Sequence, residues 1–307
     1  MAESSIQKFN HLKIHTQYSI CEGAVKIDDL QEFSKLNKIK SLALCDTSNL
    51  CGALEFAEKI SKVGTQPIIG TQINFKFGDT VGLLPLFSLN ESGYKRIIKL
   101  SSLSFLENDE LSDPQIDFNY LFENSEGVAI FSGTTFGLFG ELFNKGKFSE
   151  IDNLYKKLNS TFGDRFYIEI QRHNDQNELG FEKFNLKKSL ELKIPIIATN
   201  EVFYINQNMH EAHDALICIG NKTYINEKKR KRFSNQHYFK SNSEMSELFV
   251  DLPEALENNY NFPLRCNFRP QFSNPILPNI SSEKGGNADD LLKKDSLNGL
   301  KIKFNKI

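Results

Sequence analysis

Residues 11–46 open with HLKIH (11–15), continue through KIDDLQEFSKLNK (26–38) and reach SLALCD (41–46), and this succession sets the fold class. In the first segment side chains alternate with the period of two that a strand imposes. In the second, Ile27, Leu30, Phe33, Leu36 and Ile39 recur every three residues. That is one apolar helix face, with acids early and lysines late as the helix macrodipole favours. The third segment is a short apolar run ending on a carboxylate. Strand, helix and strand in that order predict a βα unit of a parallel sheet.

The alternation recurs along the chain. Strands are expected at 67–75 (PIIGTQINF), 82–89 (GLLPLFSL), 127–132 (GVAIFS), 166–171 (FYIEIQ) and 195–199 (PIIAT), and amphipathic helices at 52–64, 94–105, 150–159 and 183–193. Seven strands, most of them feeding a helix, wind either as an open sheet or as a barrel, with right-handed crossovers in both. Polar residues gather where the strands end: His15 with Thr16, Asp46 with Thr47, Gln72, Asn90, Ser132 with Gly133, Arg172 with His173, and Asn200 with Glu201. In a parallel barrel these ends share one rim, where such folds keep their sites. A barrel is therefore the expected architecture. Loops begin polar in any fold, so an ordinary solvated rim is the alternative.

Composition narrows the function class only a little. The 307 residues carry 37 Lys plus Arg against 39 Asp plus Glu, a net charge of −2, which advertises no polyelectrolyte partner. With 39% hydrophobic and 25% charged residues, the chain reads as folded and not disordered. No apolar run approaches the roughly 20 residues that span a bilayer, and MAESSIQKFN lacks the pattern of a secretory signal. Five cysteines without a C-x-x-C pair read as reduced thiols. A cytoplasmic protein with no membrane partner is expected. The phosphate-cradling G-x-x-x-x-G-K-[ST] and G-x-G-x-x-G patterns and the G-x-S-x-G elbow are all missing, which leaves nucleotide-cradle and serine-hydrolase readings without support.

Beyond residue 206 the pattern changes. MHEAHDALICIG (209–220) predicts a helix, NEKKRKRFSN (226–235) a basic loop, SNSEMSELF (241–249) a helix opened by a serine cap, and DLPEALENNYNFPLRCN (251–267) one more. Residues 272–286 (FSNPILPNISSEKGG) read as a linker, and ADDLLKKDSLNGLKIKFNKI (288–307) starts a helix and stops, as if cut from something longer. Strand alternation would put His11, Lys13 and His15 on one face, where two imidazoles could hold a metal. His210 and His213 are spaced by three and do not form the H-E-x-x-H zinc motif. Lys228, Lys229, Arg230, Lys231 and Arg232 are five consecutive cations, either a phosphate contact or a solvated loop tip.

Six stretches taken in order, FNHLKIHTQYSICEGA (9–24), LALCDTSNLCGALEF (42–56), PIIGTQINF (67–75), FYIEIQRHN (166–174), IPIIATNEVFYI (194–205) and SEMSELFVDLPEALENNYNFPLRCN (243–267), resemble the amino-terminal part of the bacterial replicative DNA polymerase III alpha subunits. The resemblance implies a PHP domain over residues 1–270, a distorted seven-stranded (β/α) barrel. It further implies a linker at 271–286 and the first helix of the next polymerase domain at 287–307.

In metal-binding members of that family, His, Asp, Glu and sometimes Cys at the strand ends hold a trinuclear zinc or manganese cluster for phosphoester hydrolysis. This chain departs at most of those places. Lys13 stands for the first histidine of H-x-H, Glu22 for an aspartate, Thr47 follows Asp46 where a histidine is usual, and Gln72 replaces a glutamate. Leu83 falls at the next histidine position, Thr134 at the cysteine position and Phe203 at the closing histidine. The remnant is His15, Glu22, Asp46, His173 and Glu201.

A protonated lysine has no lone pair to give a metal, so no cluster is expected, and Lys13 is expected to pair with Glu201 or Asp46 instead. The resemblance also implies the partners: the rest of a DNA-directed polymerase, a nucleotidyltransferase whose palm uses magnesium, a proofreading exonuclease subunit, and DNA. Palm stretches of the types PGRGSGAGS and PDFDVDF are missing here, so the chain alone is expected to be inactive and to serve as a scaffold. The alternative is a metal-dependent phosphoesterase, a 3′–5′ exonuclease or a pyrophosphatase.

Overall fold

A computed structural model describes residues 9–108, 112–275 and 287–305. In chain order the regular elements are β1 (His11–Ile14), α1 (Ile27–Asn37), β2 (Ser41–Thr47), α2 (Ala53–Lys62), β3 (Gln66–Phe77), β4 (Thr80–Ser88), α3 (Glu91–Leu106), β5 (Ile116–Asp117), α4 (Asn119–Glu123) and β6 (Val128–Phe131). They continue with α5 (Leu138–Asn144), α6 (Phe148–Phe162), β7 (Phe166–Ile170), α7 (Glu178–Leu192), β8 (Ile196–Ala198), β9 (Glu201–Val202), α8 (His210–Gly220), α9 (Asn242–Leu248), α10 (Pro253–Asn261) and α11 (Ala288–Phe304).

One sheet, ordered β8-β7-β6-β4-β3-β2-β1-β9, curls on itself. β8 pairs with β7 and β9 pairs with β1, both parallel, so the segment 196–202 bends and serves both edges. Counting that segment once gives the seven positions of a distorted barrel, and the α/β class agrees with the sequence reading.

One strand direction does not agree. β4 runs antiparallel to both β3 and β6. Only two residues, Gly78 and Asp79, separate β3 from β4, which suffices for a hairpin but not for a parallel crossover of a dozen or more residues. Gly78 takes the positive φ of +59° that this turn requires. Asn90 therefore lies at the end opposite the rim, where its side chain caps α3 by accepting the Gly93 N–H at 2.9 Å.

The regularity of β1 is broken too. His11 pairs with Leu42 and Ile14 with Leu44, so three steps on β1 oppose two on β2, a bulge that re-aims side chains. His11 packs outward, its ring 3.7 Å from that of Phe239 with Nε2–H donating to the Lys240 carbonyl at 2.9 Å. Lys13 and His15 both reach Glu201. The single face expected for His11, Lys13 and His15 does not form.

The barrel interior is filled in layers. Leu12, Cys45, Ile68, Phe87, Phe131, Tyr167 and Ile197 form the apolar one, and Phe262 after α10 plugs it from the end remote from the rim. Where β1 and β8 splay apart, Asn259 joins them: it accepts the Asn10 N–H at 2.7 Å and donates to the carbonyls of Asn10 and Ala198 at 2.9 Å each. α9 opens with a capping box in which Ser241 and Glu244 bond each other's backbone N–H, as its sequence predicts.

Met1–Gln271 form one compact unit and Phe272–Ile307 another. In the second, Asn287 caps α11 through the Asp289 N–H. Residues 276–286 of the expected linker lie outside the described residues.

Candidate functional site: an ammonium in the barrel mouth

Above the apolar layer, at the end where the parallel strands finish, the interior turns ionic. Nζ of Lys13 lies 3.0 Å from Oε1 of Glu201 and 3.6 Å from Oε1 of Glu169. Nε2–H of His15 donates to the same Glu201 oxygen at 3.1 Å. All four side chains are buried. Burial works against the Lys13 cation, yet Glu169 and Glu201 hold its pKa above the ordinary lysine range. Burial likewise opposes the Glu201 charge, and Lys13 and His15 overcome it, placing that carboxyl well below its ordinary value. Glu169 also receives hydrogen bonds from Gln171 Nε2 at 2.8 Å and from the Thr199 hydroxyl.

The other remnant residues are engaged separately. Asp46 accepts from the Thr16 N–H at 2.6 Å, the Thr16 hydroxyl at 2.8 Å and the Ser19 hydroxyl at 2.7 Å. Burial raises its pKa against the pull of those donors. Asp46 thus pins the loop after β1, and of the two expected partners Lys13 takes Glu201. Glu22 accepts from the Thr47 hydroxyl, which in turn receives Gln72 Nε2 at 3.0 Å. The Phe203 ring stacks on His15 with centroids 4.7 Å apart. Leu83, Phe203 and Gln72 line a small pocket over Lys13, with Lys231 at its edge.

His173 sits behind Glu201, whose N–H donates to its Nε2 at 3.2 Å. Burial, reinforced by neighbouring cationic groups, keeps it well below the usual imidazole pKa. Its ring stacks on His237, centroids 4.1 Å apart and planes 6° from parallel. His237 faces acceptors at both nitrogens, the Glu201 carbonyl at 3.2 Å and Asp175 Oδ2 at 2.8 Å. His173, Asp175 and His237 each bring a ligand atom within 4.8 Å of the others, near enough to hold a metal ion.

The two donor sets fit a metal differently. In the mouth, the ammonium already occupies the space between the two carboxylates. Among the described residues there, Nδ1 of His15 and Oε2 of Glu169 remain as buried orphans. The donors do not fit a cluster whose charge Lys13 would oppose. At the second set an imidazole lone pair lies in the ring plane, so parallel rings cannot both direct one at a single ion without turning.

Sequence reasoning missed Glu169, Asp175 and His237. Glu169 is legible in FYIEIQ as a carboxylate two residues from Tyr167, hence on the same inward face. Asp175 and His237 come from separate loops and carry no local signal. Within the five-cation run the residues part company: Arg230 forms a two-pronged pair with Asp214, both contacts 2.6 Å, and is largely buried. Lys228, Lys229, Lys231 and Arg232 stay exposed.

A family model described as the PHP domain matches residues 11–173. A DNA polymerase III subunit alpha from Caulobacter vibrioides is 34% identical over 312 residues, covering 99% of this chain and 27% of that protein. One from Rickettsia conorii is 39% identical over 297 residues, covering 95% of this chain and 25% of that protein. The chain thus spans about a quarter of the length of the curated relatives it matches. Among solved structures, an amidohydrolase from Chromobacterium violaceum aligns over 63% of this chain and 87% of its own at 10% identity, with a TM-score of 0.42. With a family match over more than half its length, and with bacterial alpha subunits similar to it almost end to end, the chain belongs to the PHP domain family.

Proposed function

We propose that this barrel is the amino-terminal scaffold of a bacterial DNA polymerase III alpha subunit, working in the cytoplasm beside the rest of that polymerase. The observation that carries the reading is the Lys13 ammonium between Glu169 and Glu201, which fills the mouth with a fixed cation. A hydrolytic centre needs a metal-bound water and open coordination positions, and a fixed ammonium offers neither. DNA synthesis with palm magnesium belongs, on this reading, to polypeptide beyond the part described here. The barrel braces that machinery and docks a proofreading exonuclease subunit, and Lys228, Lys229, Lys231 and Arg232 are the cations available to a DNA phosphate.

A second reading, a zinc- or manganese-dependent phosphoesterase acting on a 3′ terminus or pyrophosphate, is favoured by one observation, the closeness of His173, Asp175 and His237. Elemental analysis of the purified chain, with phosphatase and 3′–5′ exonuclease assays in zinc and in manganese, separates the two. The scaffold reading expects less than stoichiometric metal and no turnover. Tightly held metal with activity abolished by His173→Ala would overturn it.

A further inference from the structure

One stripe of α7 carries Glu178, Phe181, Glu182 and Asn185, at spacings of three and four residues that share a helix face. These four residues, the end of β7 with Glu169 and Gln171, and Thr134 and Thr135 after β6 all line one small pocket. The carboxylates of Glu169, Asp175, Glu178 and Glu182 line it, and among the described residues no lysine or arginine does. It is distinct from the pocket over Lys13: of the positions at which the family's metal ligands fall, Thr134 alone borders it.

Most of these acids are already answered. Glu178 accepts the N–H groups of His173 and Asn174, Glu182 pairs with Arg172, and Asp175 accepts from the Ser234 N–H and from His237. Two buried atoms are not. Oε2 of Glu169 and Nδ2 of Asn185 have no hydrogen-bond partner, in residues only 2% and 1% exposed. Leaving a buried polar atom unmatched is costly, so two such atoms on one pocket point to an occupant.

The Asn185 amide can turn an acceptor toward that occupant. Its Oδ1 now accepts the Tyr155 hydroxyl at 3.0 Å. Half a turn of the amide keeps this contact, with Nδ2 donating to the Tyr155 oxygen and the tyrosine proton turning to Ser132, which is within hydrogen-bond reach. Glu169 and Asn185 then both offer oxygen, which suits a hard cation. Charge sets its valence. A divalent ion takes several carboxylates, whereas the one carboxylate oxygen left here belongs to a group that already shares Lys13. Burial, helped by the charge of Asp175, lifts the pKa of Glu178, as expected of an acid short of cations. The space accepts a particle the size of a water molecule.

We infer that this pocket binds one monovalent cation of the size of potassium or ammonium, held by Glu169 and Asn185, and that the ion ties β7 to α7. Melting curves of the whole chain in potassium, ammonium and choline chlorides at equal ionic strength test this. A crystal soaked in rubidium, whose anomalous scattering marks a potassium site, locates the ion.

The expected result is a melting temperature at least about 2 °C higher in potassium or ammonium than in choline, with a rubidium peak beside Glu169 and Asn185. A rise in only one of the two salts names the ion. Asn185→Leu should abolish the dependence, and Gln72→Leu, in the pocket over Lys13, should keep it. Should Asn185→Leu fail to fold, the rubidium peak in the wild type decides alone. Equal melting in all three salts with no peak would leave a water between the two orphans and overturn the inference. Dependence lost in Gln72→Leu but kept in Asn185→Leu would place the ion in the mouth and overturn it as well.

Discussion

Lys13 and Glu201 are direct Cα partners across the parallel pair of β1 and β9, and their charged ends meet at 3.0 Å inside the barrel. Removing one member of a buried pair leaves the other uncompensated, at a cost of about 3–5 kcal/mol. Lys13→Met is expected to lower stability by that amount in urea unfolding. Lys13→Met with Glu201→Gln should recover part of the loss, since a neutral amide tolerates burial better. An unchanged midpoint in the single variant would show that the pair contributes nothing to folding.

The pH dependence follows from the direction of each shift. Glu201 has its pKa depressed on folding, so its contribution is complete above the unfolded carboxylate value and is lost as pH falls through the folded one. Lys13 has its pKa raised, so its contribution is complete below the unfolded lysine value and is lost as pH rises through the folded one. Between about pH 4.5 and 10 the pair works at full strength.

Burial also lowers His11 to about 3 and His213 to about 4 from 6.5. Their contribution is present above 6.5 and declines below it, by about 2 kcal/mol for each fully buried ring at pH 5. Acid unfolding is therefore expected to set in below pH 6.5, before Glu201 protonates. A His11→Phe variant should flatten that slope in circular dichroism titrations.

Asn259 holds three backbone groups where β1 and β8 separate. Each buried group left unsatisfied costs about 1–3 kcal/mol. Asn259→Ala is expected to lose at least about 3 kcal/mol of stability, with faster amide exchange at Asn10 read by NMR. Exchange unchanged at Asn10 would deny the side chain this role.

Chelation tests the charge in the mouth in another way. A bound ion that favours the folded state raises the melting temperature by mass action. Excess EDTA, and separately zinc or manganese, are expected to leave the melting temperature of the wild type within about 1 °C, well under the several degrees that 1 kcal/mol moves a domain. In Lys13→Ala the two carboxylates lose their cation, and added manganese is expected to raise the melting temperature of that variant.

The cations at 228–232 divide by burial. Arg230→Ala breaks the two-pronged pair with Asp214 and is expected to lower the melting temperature. Lys229→Ala, exposed, should fall within about 0.5 kcal/mol of wild type. Equal losses in thermal melts would mean that Arg230 does not anchor the loop.

Much of this architecture is legible in the chain because hydrophobic periodicity reports directly on which faces are buried. Of the face expected on α1, Ile27 and Leu30 are buried but Leu36 is 81% exposed, because a strict spacing of three drifts around a helix of 3.6 residues per turn. The capping box is written in the four residues from Ser241 to Glu244. Periodicity does not record strand direction. GLLPLFSL reads the same up or down, and only the Gly78-Asp79 turn betrays the reversal. Nor does alternation survive a bulge: one extra residue in β1 separates His11 from Lys13 and His15, so a pattern that suggested two metal-ready imidazoles on one face yields a salt bridge. Arg230 looks like its neighbours in KKRKR, and only Asp214, sixteen positions upstream, distinguishes it. His237 meets His173 across sixty-four positions of sequence, a distance over which local patterns carry no information.

The bonds from Asn259 back to Asn10 span 249 residues. During synthesis at roughly 5–20 residues per second, the first strand leaves the ribosome about ten to fifty seconds before the side chain that completes its edge. Until β9 arrives, the edge of β1 that faces away from β2 is open to any neighbouring chain, the ordinary route to misassembly, and the seam beside it closes only with Asn259. The nascent polypeptide therefore depends on shielding of that edge, which pairing with β2 leaves open, until β9 and then Asn259 of α10 emerge.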